Sequence, residues 1–587
     1  MWTLIAKSIQ TLAIIDYPQL SVSIRYRGLN HGPRIGDSPK HSLVVRTKHI
    51  SYCICVGLGM AEEIEAGLYA KEVVVEPGLH GQTVTGTKLA LLILGLTLSI
   101  FVAAMDNTIV ATALTRITTE FGALDQVTWV ASSYLLTTTA LQPLYGKFSD
   151  IFGRKAIMLF ALSVFLGGSI ACGAANSVVM LVVFRAVAGI GGGGLVSLSV
   201  IIISDIVPLE RRGIYMGLVG ANFAVSSVVG PLLGGVLTDK VSWRWAFYIN
   251  LPICVVAIGV IYFFLELPTP SGNIRTKLGR IDYLGTVSLV LLITLAVLGL
   301  NWGGGDYPWD SAAVVVPLAI SLVSLIGFVL VEWRVAVEPI IPGRVLTRNV
   351  ISATMTAFLN GAVFFSAIFY IPIYYQTIHG EDAITAGLEL LPLIFGVVTC
   401  SMSSGLFMSK TGIYRPLSWT GTFLCLLGTS LMGAFMRPSI SRPELIVFLL
   451  FMGLGIGLCI QTNTIASQAS VAAGDVAVVT SLVSFSQSMG AVMGLAVLGA
   501  VFQNVLSTTL AATLPASFSP LDFTNSNPLA SGTLSSELTQ IVSNAYIQAF
   551  KHLFLGGVAF VIPSFIATLF LVHIPLGRFN PKETISH

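Results

Sequence analysis

Charge is what this sequence has least of: Lys, Arg, Asp and Glu together make up 10% of its 587 residues, against about 25% in a typical soluble domain. The net charge of +3 is too small, and the basic residues too scattered, for a nucleic-acid partner held through phosphates. Cysteine chemistry is absent as well. Cys172, Cys254, Cys400, Cys425 and Cys459 each lie in an apolar run without CxxC or CxxH spacing, so each reads as a small buried hydrophobe. Cys53 and Cys55 are too isolated to argue a metal site, and no metal or other cofactor is expected. A phosphate-binding loop is also missing: the glycine run 189–194 follows no strand and is not closed by Gly-Lys-Ser/Thr. ATP-driven work and enzyme chemistry are therefore not expected.

What the chain has instead is apolar length. Hydrophobic residues make up 54% of it, and the mean hydropathy is +0.85. No soluble core hides so much apolar surface, so that surface must meet lipid. A helix crosses the hydrocarbon with about 20 apolar residues. Runs of that kind lie near 88–114, 126–146, 156–175, 178–203, 213–237, 245–265, 281–301, 312–332, 349–375, 384–408, 416–435, 444–466, 479–503 and 550–573. They lack two-residue alternation, so they read as helices rather than barrel strands. The expected fold class is an all-α integral membrane protein with about fourteen transmembrane helices.

Charge then sets the orientation. With the N-terminus in the cytoplasm, the inner loops and tail carry Lys147, Arg154, Lys155, Arg211, Arg212, Arg275, Lys277, Arg280, Arg334, Arg344, Arg348, Lys410, Arg415, Arg578 and Lys582. The outer side holds only Arg116, Lys240, Arg244, Arg437, Arg442 and Lys551. Residues 1–85 contain no span and read as a cytoplasmic segment, disordered or in part a gene-model artefact with translation starting at Met60. The loop 504–549 reads as extracellular, with a short amphipathic surface helix near Leu534–Ala549.

Three spans and one loop carry polar patterns. After span 2, residues 146–155 read Gly-Lys-Phe-Ser-Asp-Ile-Phe-Gly-Arg-Lys. Gly146 and Gly153 permit a tight turn between helices, and Asp150 can pair with an arginine at a helix end. Arg211 or Arg212, after span 4, is the expected partner. A degenerate copy, 405–412, repeats the glycine spacing after span 10 with Ser409 in the aspartate's place. Span 4 contains Arg185, costly in a membrane unless it has a partner or a function, or unless it snorkels to the outer edge. Asp106 in span 1 is the natural counter-charge. Desolvation and a neighbouring guanidinium act in opposite senses on a carboxylate, the setting a proton carrier needs; a purely structural ion pair is the rival. Span 5 carries Gly220, Gly230, Pro231, Gly234 and Gly235 in the pattern Gly-x9-Gly-Pro-x2-Gly-Gly, in which the proline bends the helix and the glycines admit a neighbour. Candidate cavity residues are Gln142, Asn222, Asn360, Tyr374, Gln376, Glu389, Gln461 and Asn463. Gln487 and the aromatics Phe364 and Phe365 are further candidates. Glu389 would join a proton path only if it lies away from the outer membrane edge.

The loop 146–155 resembles the signature loop of the major facilitator superfamily, whose aspartate helps hold the inner gate closed; the matching residues here are Gly146, Asp150, Gly153 and Arg154, with Arg211 as partner. Residues 181–194 resemble that family's span 4, whose arginine is implicated in proton transfer. Asp106-Asn107-Thr108-Ile109-Val110 and the span 5 pattern resemble drug:proton antiporters, the latter separating exporters from uptake carriers. Residues 243–252, Trp-Arg-Trp-Ala-Phe-Tyr-Ile-Asn-Leu-Pro, resemble fungal members of the fourteen-span branch. The resemblance covers about residues 85–580. It implies six-helix bundles at 86–270 and 346–575, two linking helices at 271–345 and a cytoplasmic tail at 576–587. It further implies a proton-coupled plasma-membrane exporter of drugs, toxins or secondary metabolites working by alternating access. The alternative is a vacuolar carrier of basic amino acids or siderophores. A non-transporting sensor is the third reading, against which the intact Asp106, Arg185 and Gly230-Pro231 speak. Protons, a small molecule and the bilayer are the expected partners, with no obligate protein partner. Mass spectrometry of the native N-terminus decides between the two readings of residues 1–59: a peptide from that segment refutes the Met60 start, and an N-terminus at Met60 refutes the disordered tail.

Overall fold

Backbone polar groups cannot stay unpaired in hydrocarbon, so each long apolar run closes its own hydrogen bonds as a helix. The computed structural model describes residues 23–24, 41–46, 51–56, 86–121, 127–303, 307–336, 338–381, 383–437, 440–515 and 536–574. The long helices are α1 (Gly86–Phe121), α2 (Val127–Phe152), α3 (Arg154–Gly173), α4 (Val178–Ile206), α5 (Leu209–Lys240), α6 (Asn250–Phe264), α7 (Tyr283–Trp302), α8 (Ala312–Arg334), α9 (Arg348–Ile378), α10 (Leu391–Thr411), α11 (Arg415–Phe435), α12 (Arg442–Gln468), α13 (Val476–Thr513) and α14 (Ser536–Leu569). Among the described residues, thirteen helices are long and apolar enough to cross a membrane. The long helix outside that set is α2, whose Ser- and Thr-rich sequence lowers its hydropathy.

Residues 1–79 form a separate unit. Its described residues pair as an antiparallel sheet of Ser23–Ile24, His41–Arg46 and Ser51–Val56 in that order. Met60 and the polar stretch after it lie outside the described residues, as do positions 575–587.

In the membrane unit the packing repeats. In the first half α1 packs on α5, α2 on α4, α3 on α4 and α6, and α1 on α6. In the second, eight helices on, α9 packs on α13, α10 on α12, α11 on α12 and α14, and α9 on α14. The halves meet through α5 on α10 and α2 on α13, pairs that exchange under the same correspondence. Helices α7 and α8 lie between the halves in sequence. They pack on each other, and α7 also packs on α2 and α13. The outward face of α8 is exposed and apolar, with Leu322, Val323 and Trp333 among its uncovered residues, as lipid contact requires.

Two sequence expectations change. The 504–549 connection is shorter, because α13 continues to Thr513 and α14 begins at Ser536; no separate surface helix forms at 534–549. The reason is packing at helical spacing: Leu506 and Leu510 on α13, and Val542, Ala545, Tyr546 and Ala549 on α14, are all buried. At 1.5 Å per residue, the 38-residue α13 is about 57 Å long, well beyond the bilayer's hydrocarbon.

Charged side chains strap the linking helices to the end of the bundle that the charge distribution assigns to the cytoplasm. Glu338, between α8 and α9, accepts from Arg280 Nε at 2.8 Å and Nη2 at 3.2 Å, and its other contact is Lys147 Nζ at 2.9 Å. The hydrogen bond from Arg280 and the charge of Lys147 hold the Glu338 carboxyl below its ordinary value against the opposing effect of burial. A depressed carboxylate contributes stability above its unfolded pKa of about 4.3 and loses it as pH falls through the folded value. Glu338→Gln should therefore lower thermal stability by up to about 1 kcal/mol at neutral pH. The difference from wild type should shrink in acid below about pH 4, as read by melting of the detergent-solubilised protein.

Candidate functional site

The first cluster begins with a charge that has nowhere to go. Arg185, about two turns into α4, is 1% exposed, and Asp106 on α1 is 0% exposed. They form a direct ion pair through Arg185 Nη1 and Asp106 Oδ2. Arg185 Nε donates to the Val130 carbonyl at 3.0 Å, and its guanidinium lies 4.3 Å from the centre of the Tyr134 ring. The other carboxylate oxygen, Asp106 Oδ1, accepts from Asn250 Nδ2 at 3.0 Å. The sequence-based snorkelling alternative for Arg185 is thus replaced by an enclosed pair. Reading the sequence missed Asn250 and Tyr134 as members. Asn250 stands out only as a lone amide in an apolar run, and Tyr134 looks like any aromatic of a span.

The span 5 pattern supports this cluster from behind. A Cβ on Gly230 would overlap Thr108 Oγ1 on α1, two residues beyond Asp106, and the Thr108 hydroxyl also lies 3.5 Å from the Ser226 carbonyl of α5. Pro231 sits inside α5. Gly220, at the other end of the pattern, faces the second half: its Cβ would lie 2.5 Å from Gln461 Nε2 and 2.9 Å from Ser401 Oγ. Gly234 and Gly235 continue α5 towards its outer end.

The gate motif is assembled differently from the expectation. Asp150 pairs with Arg154, Oδ1 to Nη1 at 2.6 Å, not with Arg211 or Arg212. Arg154 Nε also donates to Asp205 Oδ2 at 2.7 Å and Nη1 to Ser149 Oγ at 2.6 Å. Gly153 makes this possible: its φ of 101° is the region open to glycine, and it turns the chain so that Arg154, the first residue of α3, folds back onto Asp150. Arg212 instead donates to the Val207 carbonyl and to Gln468 Oε1 of the second half, at 3.1 and 3.3 Å. Gly146 and Gly405, the first glycines of the two loop copies, are where the halves touch. A Cβ on Gly146 would lie 2.6 Å from Ser481 Oγ of α13, and one on Gly405 would overlap the Gly213 carbonyl of α5. Ser409, in the aspartate's place, has a buried hydroxyl without a protein partner.

Between the halves lies a cavity of about 100 Å³, room for several waters but below the 300–1,000 Å³ of drug-sized ligand sites. Of the expected cavity residues it includes Gln142 and Gln461, with Gln487, Phe364 and Phe365 beside them and Phe223 from α5. Both Gln142 Oε1 and Gln461 Nε2 are buried without a protein hydrogen-bond partner. The other expected residues do not line it. Asn222 Nδ2 donates to the Thr97 carbonyl at 2.7 Å, linking α5 to α1. Asn360 accepts from Ser564 at 2.9 Å and, with Asn463, faces a separate void of about 10 Å³. Tyr374 packs against Phe550 and Tyr375. Gln376 follows near the C-terminal end of α9. Glu389 lies just before α10 with Arg442, the first residue of α12, at 3.6 Å, and Arg442 also pairs with Glu381. In the orientation set by the charge distribution this is the outer end of the bundle, and Glu389 is away from the cavity between the halves. Its place in a short helical linker was hidden by an apolar run that looked continuous. No group of His, Cys, Asp and Glu among the described residues is arranged to hold a metal.

The Major Facilitator Superfamily sequence profile matches residues 96–495. The "MFS-type efflux pump MFS1" of Arthroderma benhamiae is 38% identical over 428 residues, covering 72% of this chain and 80% of that protein. "Efflux pump aflT" of Aspergillus parasiticus is 38% identical over 437 residues, 73% of this chain and 84% of its own. "Efflux pump aunC" of Aspergillus niger is 36% identical over 509 residues, 86% and 88% respectively. Among solved structures, the MFS proton:xylose symporter XylE superposes with a TM-score of 0.52 at 14% identity, covering 82% of this chain and 95% of that one. A bacterial homolog of the human lysosomal transporter Spinster, in an inward-facing and unoccupied conformation, gives 0.51 at 15% identity, covering 85% and 100%. At these identities the structures speak for the fold alone.

If Gly230 serves to seat α1 beside Asp106, Gly230→Ala should lower the melting temperature of the purified protein, consistent with about 1–3 kcal/mol of overpacking. Adding Thr108→Ala should restore part of the loss, because the two sites are in contact and not additive. Simple additivity of the two losses would refute the contact.

Proposed function

Because the chain belongs to the Major Facilitator Superfamily, we propose that it is a proton-coupled secondary transporter that exports small organic molecules by alternating access, in the plasma membrane. The observation that carries this reading is the enclosed Asp106–Arg185 pair, the one carboxylate–guanidinium contact among the described residues in which both side chains are almost fully buried. It stands beside the Gly230–Pro231 segment of the helix that also reaches the cavity. The efflux-pump names of the relatives favour export over uptake.

The mechanism follows from charge. With Asp106 ionised, its pairing to Arg185, together with the Asn250 amide, fastens α1 to α4 and α6. Protonation removes the negative partner and leaves Arg185 with the Val130 carbonyl and the Tyr134 ring, so the two protonation states favour different packings of the first half. A substrate bound at Gln142 and Gln461 draws both halves onto itself. Exchange results if proton and substrate favour opposite-facing arrangements. The cross-half contacts at Gly146 and Gly405, with the Arg154 cluster beside them, would form the gate at the cytoplasmic end. A vacuolar carrier of basic amino acids or siderophores remains the second reading; it would use the same machinery.

The test uses inside-out vesicles with an acid interior and a pH-sensitive dye, challenged with lipophilic cations, toxins, basic amino acids and siderophores. Wild type should release protons on addition of a substrate, and Asp106→Asn should not. Removing one partner of a buried pair costs about 3–5 kcal/mol, so Asp106→Asn/Arg185→Met, which removes both charges, keeps the assay informative if the single variant unfolds. Proton release undiminished in a folded variant would mean that another group carries the proton.

A further inference from the structure

Two halves that meet at glycine crossings fit each other without being fastened. At Gly146 and Gly405 the contacts are those of close-packed surfaces, which hold by fit and not by direction. The charged groups nearby do not supply a fastening. Asp150, Arg154, Asp205 and Ser149 bond among themselves on α2, α3 and α4, inside the first half. Glu338 and Arg344 act through the linking segment. Arg344, paired with Asp475 at 2.9 Å, has a side chain that is 73% exposed, where an ion pair adds little.

One buried side chain does cross. Gln468, the last residue of α12, is 2% exposed and lies where the ends of four helices converge. Its Nε2 donates to Ser204 Oγ of α4 at 2.8 Å and to Thr480 Oγ1 of α13 at 2.9 Å. Its Oε1 accepts from Arg212 Nη1 of α5 at 3.3 Å. A guanidinium only donates, so the amide must turn its oxygen towards Arg212 and its nitrogen towards the hydroxyls. One amide thus joins α12 and α13 of the second half to α4 and α5 of the first. Ser204 and Thr480 are buried, and away from water such bonds are at their strongest. The two hydroxyls donate their own protons to the Val200 and Val476 carbonyls, at 2.9 and 2.6 Å, and Arg212 also has the Val207 carbonyl at 3.1 Å. Taking the amide away therefore strands no donor inside either half. What it removes is the tie between them.

We propose that Gln468 is the latch of the cytoplasmic gate: its amide holds α12 against α4 and α5, and these bonds must break before that end opens. This rests on the alternating-access reading above. Gln468 is not among the residues that line the cavity between the halves, so it acts on the motion and not on the cargo. Arg212, one of the two arginines expected to pair with Asp150, serves the latch instead. The glycine crossings give the gate its fit, and Gln468 gives it its hold.

The test uses the full chain in nanodiscs, with donor and acceptor fluorophores attached through unnatural amino acids at Ala156 and Lys410. Both positions are exposed, on α3 of the first half and α10 of the second. Single-molecule energy transfer reads the open and closed fractions of the cytoplasmic end. Gln468→Leu should raise the open-to-closed ratio about tenfold. Ser204→Ala, which removes only the acceptor in the first half, should raise it about threefold. Ser204→Ala on top of Gln468→Leu should add nothing, because both remove the same bond. A side chain that only supported the fold would lower the melting temperature and leave the ratio alone. A wild-type ratio in Gln468→Leu, with wild type itself visiting both states, overturns the latch, and so does a further shift in the double variant. If Gln468→Leu does not fold, Ser204→Ala decides: a wild-type ratio there overturns the latch. A single separation in wild type and every variant overturns the latch and alternating access together. A tenfold shift without proton release in the vesicle assay sinks the exporter and leaves the latch standing.

Discussion

A charge enclosed in hydrocarbon must be answered where it stands, and the first half of this protein is arranged around that requirement. Arg185 brings α4 to Asp106 of α1 and to the Val130 carbonyl and Tyr134 ring of α2. Asn250 brings α6 to the same carboxylate and lies 3.4 Å from Ser169 of α3. α5 closes the set by pressing Gly230 against Thr108. All six helices thus converge within a few residues of one ion pair. A change at this pair therefore reaches every helix of that half through direct contacts, without a long relay.

The second half repeats the packing but not the chemistry. Where the first has an ion pair, the second has an apolar and aromatic centre in which Phe550 meets Tyr374 edge to face and Phe502 at a tilt. A buried ion pair organises one half and aromatic packing the other. The glycine crossings at Gly146 and Gly405 join them, and Glu338 ties the linking helices to Lys147 beside the first crossing.

The parts of this arrangement that could be read from sequence were those where a residue type is out of place. A charged residue in an apolar run is rare enough that Asp106 and Arg185 announce each other, and paired glycine loops announce a repeat. Neutral polar residues do not, since an amide in a span serves equally well between helices, as Asn222 does, or facing a cavity, as Gln461 does; only the helix rotation decides. The partner of Asp150 depended on the backbone at Gly153, whose left-handed turn no spacing argument supplies. Glu389 was misplaced because a short linker helix and α10 read as one run. The lengths of α13 and α14 were understated because hydropathy registers lipid, whereas Leu506, Leu510 and Val542 are held by neighbouring helices.

The two crossings have a consequence for how such a protein can change over generations. Gly405 meets the backbone of Gly213, and Gly146 meets the Ser481 side chain and the Ala477 carbonyl, so neither crossing has room for a Cβ, and substitution of either glycine can only force it apart. The cavity wall is side chain except at Gly220. Selection can therefore retailor the wall while the crossings that join the halves stay fixed, and the two can diversify on separate clocks.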